Sequence, residues 1–180
     1  MPVYSACRGK QVKNTKGVLV ALLFSFAALI LQSTLFDFLA IWNVKPDLVL
    51  LVVIFSAVRG GVMAGQVTGF FAGMLQGFVS PPFGIHALVK TIIGHIYGKL
   101  EGTVSIDPFL IQLMLALIGT VAKTILMLIA KMIFGIPGLP VGEFFATLGL
   151  ESLYTMVLAP VVFFILNKFV VFSQKGMETF

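Results

Sequence analysis

Charged residues are scarce in this sequence. Only 11% of its 180 residues are Asp, Glu, Lys or Arg, whereas 59% are hydrophobic, and the mean hydropathy is +1.09. A soluble domain carries about a quarter charged residues, because it must cover its surface with groups that water solvates. The composition therefore argues against a water-soluble domain and predicts an integral membrane protein.

The residues that most often carry catalysis are scarce as well. The sequence has one cysteine, Cys7, so no disulfide can form within it, and only two histidines, His86 and His95. These histidines would face different ways on a helix, which argues against a shared metal site. No glycine-rich phosphate loop occurs, and no serine has a nearby histidine and acid. We therefore expect no enzyme, no cofactor and no metal, with Glu151 as an intramembrane base the one catalytic alternative.

Basic residues are concentrated ahead of the first hydrophobic run. The net charge is +5, and Arg8, Lys10, Lys13 and Lys16 all precede residue 18. Lys and Arg that flank a membrane span are enriched on the cytoplasmic side, so this cluster indicates a cytoplasmic N-terminus rather than nucleic-acid binding. The run that follows is longer than the apolar part of a signal peptide and no cleavage site follows it, so we expect a retained span.

Six hydrophobic runs are candidates for crossing a bilayer, whose core of about 30 Å needs roughly 20 helical residues. They cover residues 18–36, 48–58, 62–79, 84–98, 108–134 and 144–166. The run 48–58 is short, so a re-entrant hairpin over 48–79 is the alternative to two true spans. Two spans are favoured because non-helical backbone facing lipid is costly.

The distribution of Lys and Arg predicts the orientation of these runs. If six crossings alternate from a cytoplasmic N-terminus, only Lys45 and Lys131 lie on the outer face. We therefore predict an all-α integral membrane protein, a compact bundle of about six transmembrane helices with both ends in the cytoplasm. The expected divisions are a basic N-terminal segment (1–17), a transmembrane domain (18–167) and a C-terminal tail (168–180).

Glycines recur every four residues in two of the runs. The longer ladder is Gly61, Gly65, Gly69, Gly73 and Gly77, and the shorter one is Gly94, Gly98 and Gly102. Glycine is a poor helix former, so a ladder within a helix needs a reason, and close approach of another backbone supplies one. The ladders predict tight helix packing, either between helices of this chain or against the helix of a partner.

Charged residues within the runs are candidate functional groups, because each is costly to insert into a bilayer. Lys123 lies near the outer end of the fifth run and Glu151 near the outer start of the sixth. Antiparallel neighbouring helices then place both about 10 Å below the surface, so we predict an ion pair between them. Lys90, in the fourth run, shares a helix face with His86 at i, i+4 spacing.

Together with two glutamines, these residues predict a polar cluster in the outer half of the bundle. Its members are Gln32, Gln76, His86, Lys90, Lys123 and Glu151. Hydrogen bonds between helices and lysines that reach toward the surface would account for it. The alternatives are a ligand pocket open to the outside and a contact with a partner's membrane segment.

Short motifs also follow one another in a recognisable order. They are Gln32-Ser33-Thr34-Leu35-Phe36, Lys45-Pro46-Asp47-Leu48, Arg59-Gly60, Gly69-Phe70-Phe71-Ala72-Gly73-Met74-Leu75-Gln76, Phe83-Gly84-Ile85-His86-Ala87-Leu88 and Leu158-Ala159-Pro160. This order resembles the rod shape-determining protein MreD family over about residues 18–168. The resemblance marks Pro46, Asp47, Arg59 and Pro160 as family motif positions.

The resemblance implies a non-enzymatic component of the bacterial elongation machinery in the inner membrane. Such proteins associate with MreC, a single-span protein, and act with MreB filaments, RodA and its partner transpeptidase in lateral peptidoglycan synthesis. The family is also similar in fold to the S components of energy-coupling-factor vitamin transporters. A substrate-binding S component is therefore the alternative function, in which the outer polar cluster would form the vitamin pocket.

Overall fold

A computed structural model describes residues 3–34, 45–104, 106, 108–136 and 141–170. In the first of these ranges side chains are described from residue 16 onward, and in the last from residue 145 onward. All regular secondary structure in the described residues is helical. These ranges contain five helices and no strand: α1 (Val3–Thr34), α2 (Leu48–Val79), α3 (Ile85–Gly98), α4 (Phe109–Ile133) and α5 (Val141–Phe169). Most of the predicted tail, from residue 171 onward, and the motif positions Leu35 and Phe36 lie outside the described residues. The all-α prediction is confirmed.

Four segments are long and apolar enough to cross a membrane. They are Lys16–Thr34, Leu48–Val79, Phe109–Ile133 and Phe145–Phe169. The chain is therefore a multi-pass membrane protein, but the predicted count of about six spans is not confirmed. Two helices account for the difference. The second and third hydrophobic runs form one helix, α2, and α3 has 14 residues, which is too few to cross a bilayer core.

Helix α2 is bent sharply at Gly61. That residue has φ 79° and ψ −173°, a conformation essentially restricted to glycine. A Cβ built on Gly65 would lie 2.6 Å from the Cβ of Ala57, although these residues would be about 12 Å apart along a straight helix. The first arm (48–60) and the second arm (62–79) therefore fold back on each other. The first arm is only about 20 Å long, so it does not reach across a full hydrocarbon core.

The glycine ladder lies between the second arm of α2 and α3. A Cβ on Gly73 would lie 2.5 Å from the Cα of Ala87, and one on Gly98 would lie 2.5 Å from the Cα of Val62. Gly65 and Gly94 face each other's backbone, and Gly69 faces the backbone of Lys90. Each of these positions lacks room for a side chain, so the two helices approach as closely as backbones allow.

The last glycine of each ladder, Gly77 in the longer one and Gly102 in the shorter one, lacks the tight backbone contact of the others. Gly77 has more space, since its Cβ would lie 3.3 Å from the nitrogen of Gly84. Gly102 lies in the turn after α3 with φ 75° and no neighbour within 4 Å of a Cβ, so it does not extend the shorter ladder. Its role is conformational, because a positive φ is one that glycine adopts without strain.

Helix α2 forms the centre of the bundle. In the most apolar 18-residue stretch of α2, 83% of the residues are buried inside the protein. The corresponding fraction is 22% in α1, 28% in α4 and 22% in α5. Every residue from Leu48 to Val58 is buried. Helices α1 and α3 pack on α2, α5 packs on α2 and α4, and α4 also contacts α3. The short first arm is thus enclosed by protein, which removes the cost that lipid would impose on its non-helical ends.

The outer helices carry continuous apolar faces. On α1, the exposed residues Leu19, Leu23, Phe26 and Ile30 recur at helical spacing. Water would make such a face unfavourable, whereas hydrocarbon or the span of another protein would cover it.

Candidate functional site: a charge network inside the bundle

The most conspicuous polar feature of the bundle interior begins at Asp47. Its side chain caps the first arm of α2 by accepting a hydrogen bond from the backbone nitrogen of Leu50 at 2.9 Å. The same carboxylate accepts hydrogen bonds from the Lys90 ammonium at 2.7 Å and 2.9 Å. Both side chains are only 1% exposed. Asp47 is therefore a fully buried anion paired with a fully buried cation.

Lys123 extends this pair into a network. Its ammonium lies 3.2 Å from the second carboxylate oxygen of Asp47 and also donates a hydrogen bond to Glu151 Oε1. The ion pair predicted between Lys123 and Glu151 from their matching depths is thus present. The backbone nitrogen of Asp47 donates to Thr155 Oγ1 at 3.3 Å, which adds a further contact to α5.

The network joins four helices and carries no net charge. Asp47 begins α2, Lys90 lies on α3, Lys123 on α4 and Glu151 on α5. Two cations face two anions, so each charge has a partner of opposite sign. An unpaired charge is far more costly in a bilayer interior than a hydrogen-bonded pair. The arrangement is suited to fixing the relative positions of the helices.

The close packing of α2 and α3 positions Lys90 in this network. Gly69 contacts the backbone of Lys90 directly, so a side chain at position 69 would push α3 away from α2. The long lysine side chain then reaches the carboxylate at the start of the first arm. The ladder and the network are therefore parts of one structural arrangement.

The predicted outer polar cluster is divided in the structure. Lys90 pairs with Asp47 rather than with His86, whose side chain is buried and whose Nδ1 has no hydrogen-bond partner among the described residues. Gln32 and Gln76 line a separate cavity of about 220 Å³ that includes none of the four charged residues. We call this cavity the amide pocket.

The four motif positions lie in different parts of the molecule. The carbonyl of Pro46 accepts a hydrogen bond from Gln32 Nε2, and Asp47 belongs to the network. Arg59 is half-buried one residue before the Gly60-Gly61 bend. Pro160 lies within α5 and lines a second cavity with residues of α4 and α5.

Sequence reasoning missed the burial of Asp47, which the family resemblance marked only as a motif position. A usable signal was the charge sum, because Lys90, Lys123 and Glu151 together carry one excess positive charge. A second acid was therefore needed inside the bundle. The short first arm was another signal, since its start had to lie below the membrane surface.

The described residues contain no group of three or more His, Cys, Asp or Glu side chains that could hold a metal ion.

A family model described as rod shape-determining protein MreD matches residues 13–170. No curated protein and no solved structure matches the chain. The similarity expected to S components of vitamin transporters is therefore not confirmed.

Proposed function

Because the chain belongs to the rod shape-determining protein MreD family, we propose that it is a non-enzymatic membrane scaffold of the bacterial elongation machinery. The match over residues 13–170 carries this proposal, since it includes α2 to α5 completely and most of α1. In the proposed role the chain binds an MreC-like single-span protein. RodA, its transpeptidase and MreB are indirect partners, and lateral peptidoglycan synthesis is the process supported.

The charge network supports a structural rather than a catalytic role. Asp47 and Lys90 are fully buried, and the Asp47 carboxylate is already engaged by Lys90, by Lys123 and by the helix cap. An acid or base in catalysis must be able to reach a reacting atom, which Asp47 and Lys90 cannot do without opening the bundle.

The exposed apolar faces support the proposed interaction with a single-span partner. The face on α1 formed by Leu19, Leu23, Phe26 and Ile30 is one surface, and α4 and α5 carry others that include Ile118 and Val157. Dispersion at such faces can drive helix association in lipid. The proposed location is the bacterial inner membrane, with both ends of the chain in the cytoplasm.

Depletion and co-purification test the scaffold role together. Removing the chain from a rod-shaped bacterium should give rounded cells, and restoring a tagged copy should restore the rod shape. Purification of the tagged copy in mild detergent should recover a single-span MreC-like protein. Rod-shaped cells after depletion, or recovery of no such partner from cells with the restored copy, would overturn the proposal.

Site-specific photocrosslinking identifies the helix that contacts the partner. A photoreactive residue is placed at exposed Leu23, Ile118 or Val157, and at fully buried Val53 as a control. One exposed position should crosslink to the partner much more strongly than the other two, and Val53 should not crosslink to it. Equal labelling at all four positions would indicate nonspecific capture.

A further inference from the structure

Helix α3 presents a short apolar stripe on the surface of the bundle. Leu88, Ile92 and Ile96 recur at helical spacing and are between about a third and a half exposed. The other side of α3 is packed against the second arm of α2 through the glycine ladder. In a multi-pass membrane protein such a stripe faces hydrocarbon, so its length sets the thickness of apolar surface on this side of the molecule.

Both ends of this stripe are polar. At the outer end, no side chain among the described residues caps α3 at Gly84, so the first amide groups of the helix need water or lipid headgroups. At the inner end Lys99 is exposed, and a non-helical turn follows it. The helix between these ends has 14 residues and is therefore about 21 Å long, compared with about 30 Å for the core of a typical bilayer.

The neighbouring helix α4 is much longer. Its 25 residues extend over about 37 Å, and exposed apolar side chains occur at both ends, including Leu110 and Ile133. Lys90 of α3 and Lys123 of α4 both contact the Asp47 carboxylate, which gives the two helices a common level. Above this level α3 has five further residues, about 7.5 Å, whereas α4 has ten, about 15 Å.

The contacts between α3 and α4 show that these heights can be compared. Tyr97 Oη donates a hydrogen bond to the carbonyl of Leu115 at 2.9 Å. These two residues lie seven and eight positions inward of Lys90 and Lys123, so the helices run side by side in matching register. With helix axes about 8–10 Å apart, a tilt of about 20° would change their relative height by only about 3 Å. Tilting therefore does not remove the difference.

The loop before α3 supports a low outer boundary. We call residues 78–84 the outer tip. No charged residue occurs from Gly60 to Val89, and Phe78 and Phe83 of the tip are exposed, with ring centroids 5.0 Å apart. Ser80 of the tip lines the amide pocket together with Lys45, which lies only two residues before Asp47. The tip thus combines aromatic surface with adjacent polar groups, as is typical of residues at the headgroup level.

We propose that the bilayer thins where it meets α3, so that the headgroups of both leaflets approach the ends of the short stripe. Lipid is the partner that this surface fits, because the stripe is apolar and both of its ends are polar. Local thinning is a usual response of a bilayer to a hydrophobic stretch that is too short. On the α4 side the same protein meets a bilayer of full thickness. The inference does not depend on the proposed scaffold role.

Depth-dependent fluorescence quenching in phosphatidylcholine vesicles tests the proposal. Single cysteines replace exposed residues in a Cys7→Ser background and carry a small fluorophore. Phe83→Cys and Ile96→Cys form the α3 pair, and Ile129→Cys and Leu117→Cys form the matched α4 pair. In each pair one label lies about 9 Å outward and the other about 9 Å inward of the charge network. Lipids brominated near the headgroup or near the chain ends then report the depth of each label.

The mean depth of each pair distinguishes thinning from tilting. Labels about 18 Å apart should have a mean depth of about 1–2 Å in a core of about 21 Å, but of about 6 Å in a core of about 30 Å. Tilting makes one label of a pair shallower and the other deeper, so it leaves the mean unchanged. We therefore expect the α3 pair to be shallower than the α4 pair by about 4–5 Å on average.

Two results would overturn the proposal. Equal mean depths of the two pairs would show that the bilayer is flat around the protein. Efficient quenching of the α4 pair with no quenching of the α3 pair by either lipid would show that a water-filled crevice or a second copy of the chain covers the stripe. If the labelled Phe83→Cys protein does not fold, as judged by its melting curve, Phe78→Cys replaces it, since Phe78 packs beside Phe83 in the outer tip.

Discussion

Removing one charge from the buried Asp47–Lys90 pair should destabilise the bundle strongly, whereas removing both should not. Both side chains are 1% exposed, so water cannot solvate a charge left behind. Lys90→Met leaves Asp47 with only Lys123, at 3.2 Å, and gives the network a net charge of −1. Asp47→Asn/Lys90→Met removes equal and opposite charges, leaves the Lys123–Glu151 pair balanced, and retains a side-chain oxygen to cap Leu50.

The expected magnitudes follow from the behaviour of buried ion pairs. Breaking such a pair by removing one partner costs about 3–5 kcal/mol, and replacing the whole pair is often close to neutral. At about 2–4 °C per kcal/mol for a chain of this length, Lys90→Met should lower the melting temperature by about 10 °C. The double variant should recover most of that loss, so the coupling free energy of the cycle should be at least as large as the loss recovered, about 3 kcal/mol.

Thermal unfolding in detergent, followed by circular dichroism, measures all four corners of this double-mutant cycle. Lys99→Met is the matched control, since Lys99 is exposed beyond the end of α3 and makes no ion pair within the described residues. It should change the melting temperature by only about 1 °C. If Lys90→Met were as mild as Lys99→Met, or if the two network substitutions were simply additive, the network would not be the electrostatic unit described above.

Three further substitutions or measurements test the packing and the topology. Gly73→Ala should lower the free energy of unfolding by about 2 kcal/mol, because the new Cβ would overlap α3. Gly149→Ala is the control: its Cβ would have no neighbour within 4 Å, so this substitution should be neutral or slightly stabilising. Gly61→Ala should lower the free energy of unfolding by about 2 kcal/mol or more, because φ at this position is positive and the Glu101 carboxylate occupies the space of the new Cβ. Gly135→Ala is the control: φ is positive there too, but nothing lies within 4 Å of the Cβ, so the loss should be only about 1 kcal/mol. Cys7 should react with a membrane-impermeant thiol reagent only in inverted vesicles or permeabilised cells; labelling in intact cells would contradict a cytoplasmic N-terminus.

Much of the secondary structure could be predicted from hydrophobicity and chain breakers alone. The apolar runs correspond to helices, and Gly61 ends the first arm between the predicted runs 48–58 and 62–79. The Lys123–Glu151 pair was predictable because depth in a bilayer follows directly from position along a helix.

The remaining features depend on tertiary packing that a single sequence does not specify. Asp47 precedes an apolar run, which is equally typical of a turn at the membrane surface and of a helix cap below it. Only the enclosure of the first arm by the other helices decides between these positions.

The pairing order within the network has a consequence for how the chain enters the membrane. Asp47 and Lys90 belong to α2 and α3, which are synthesised directly after α1, and Lys123 and Glu151 belong to α4 and α5, which are synthesised later. Each half therefore cancels its own charge before it meets the other. Neither half must carry a net charge into the bilayer while the ribosome completes the rest, and the 3.2 Å contact between Lys123 and Asp47 can form last, as the two halves close.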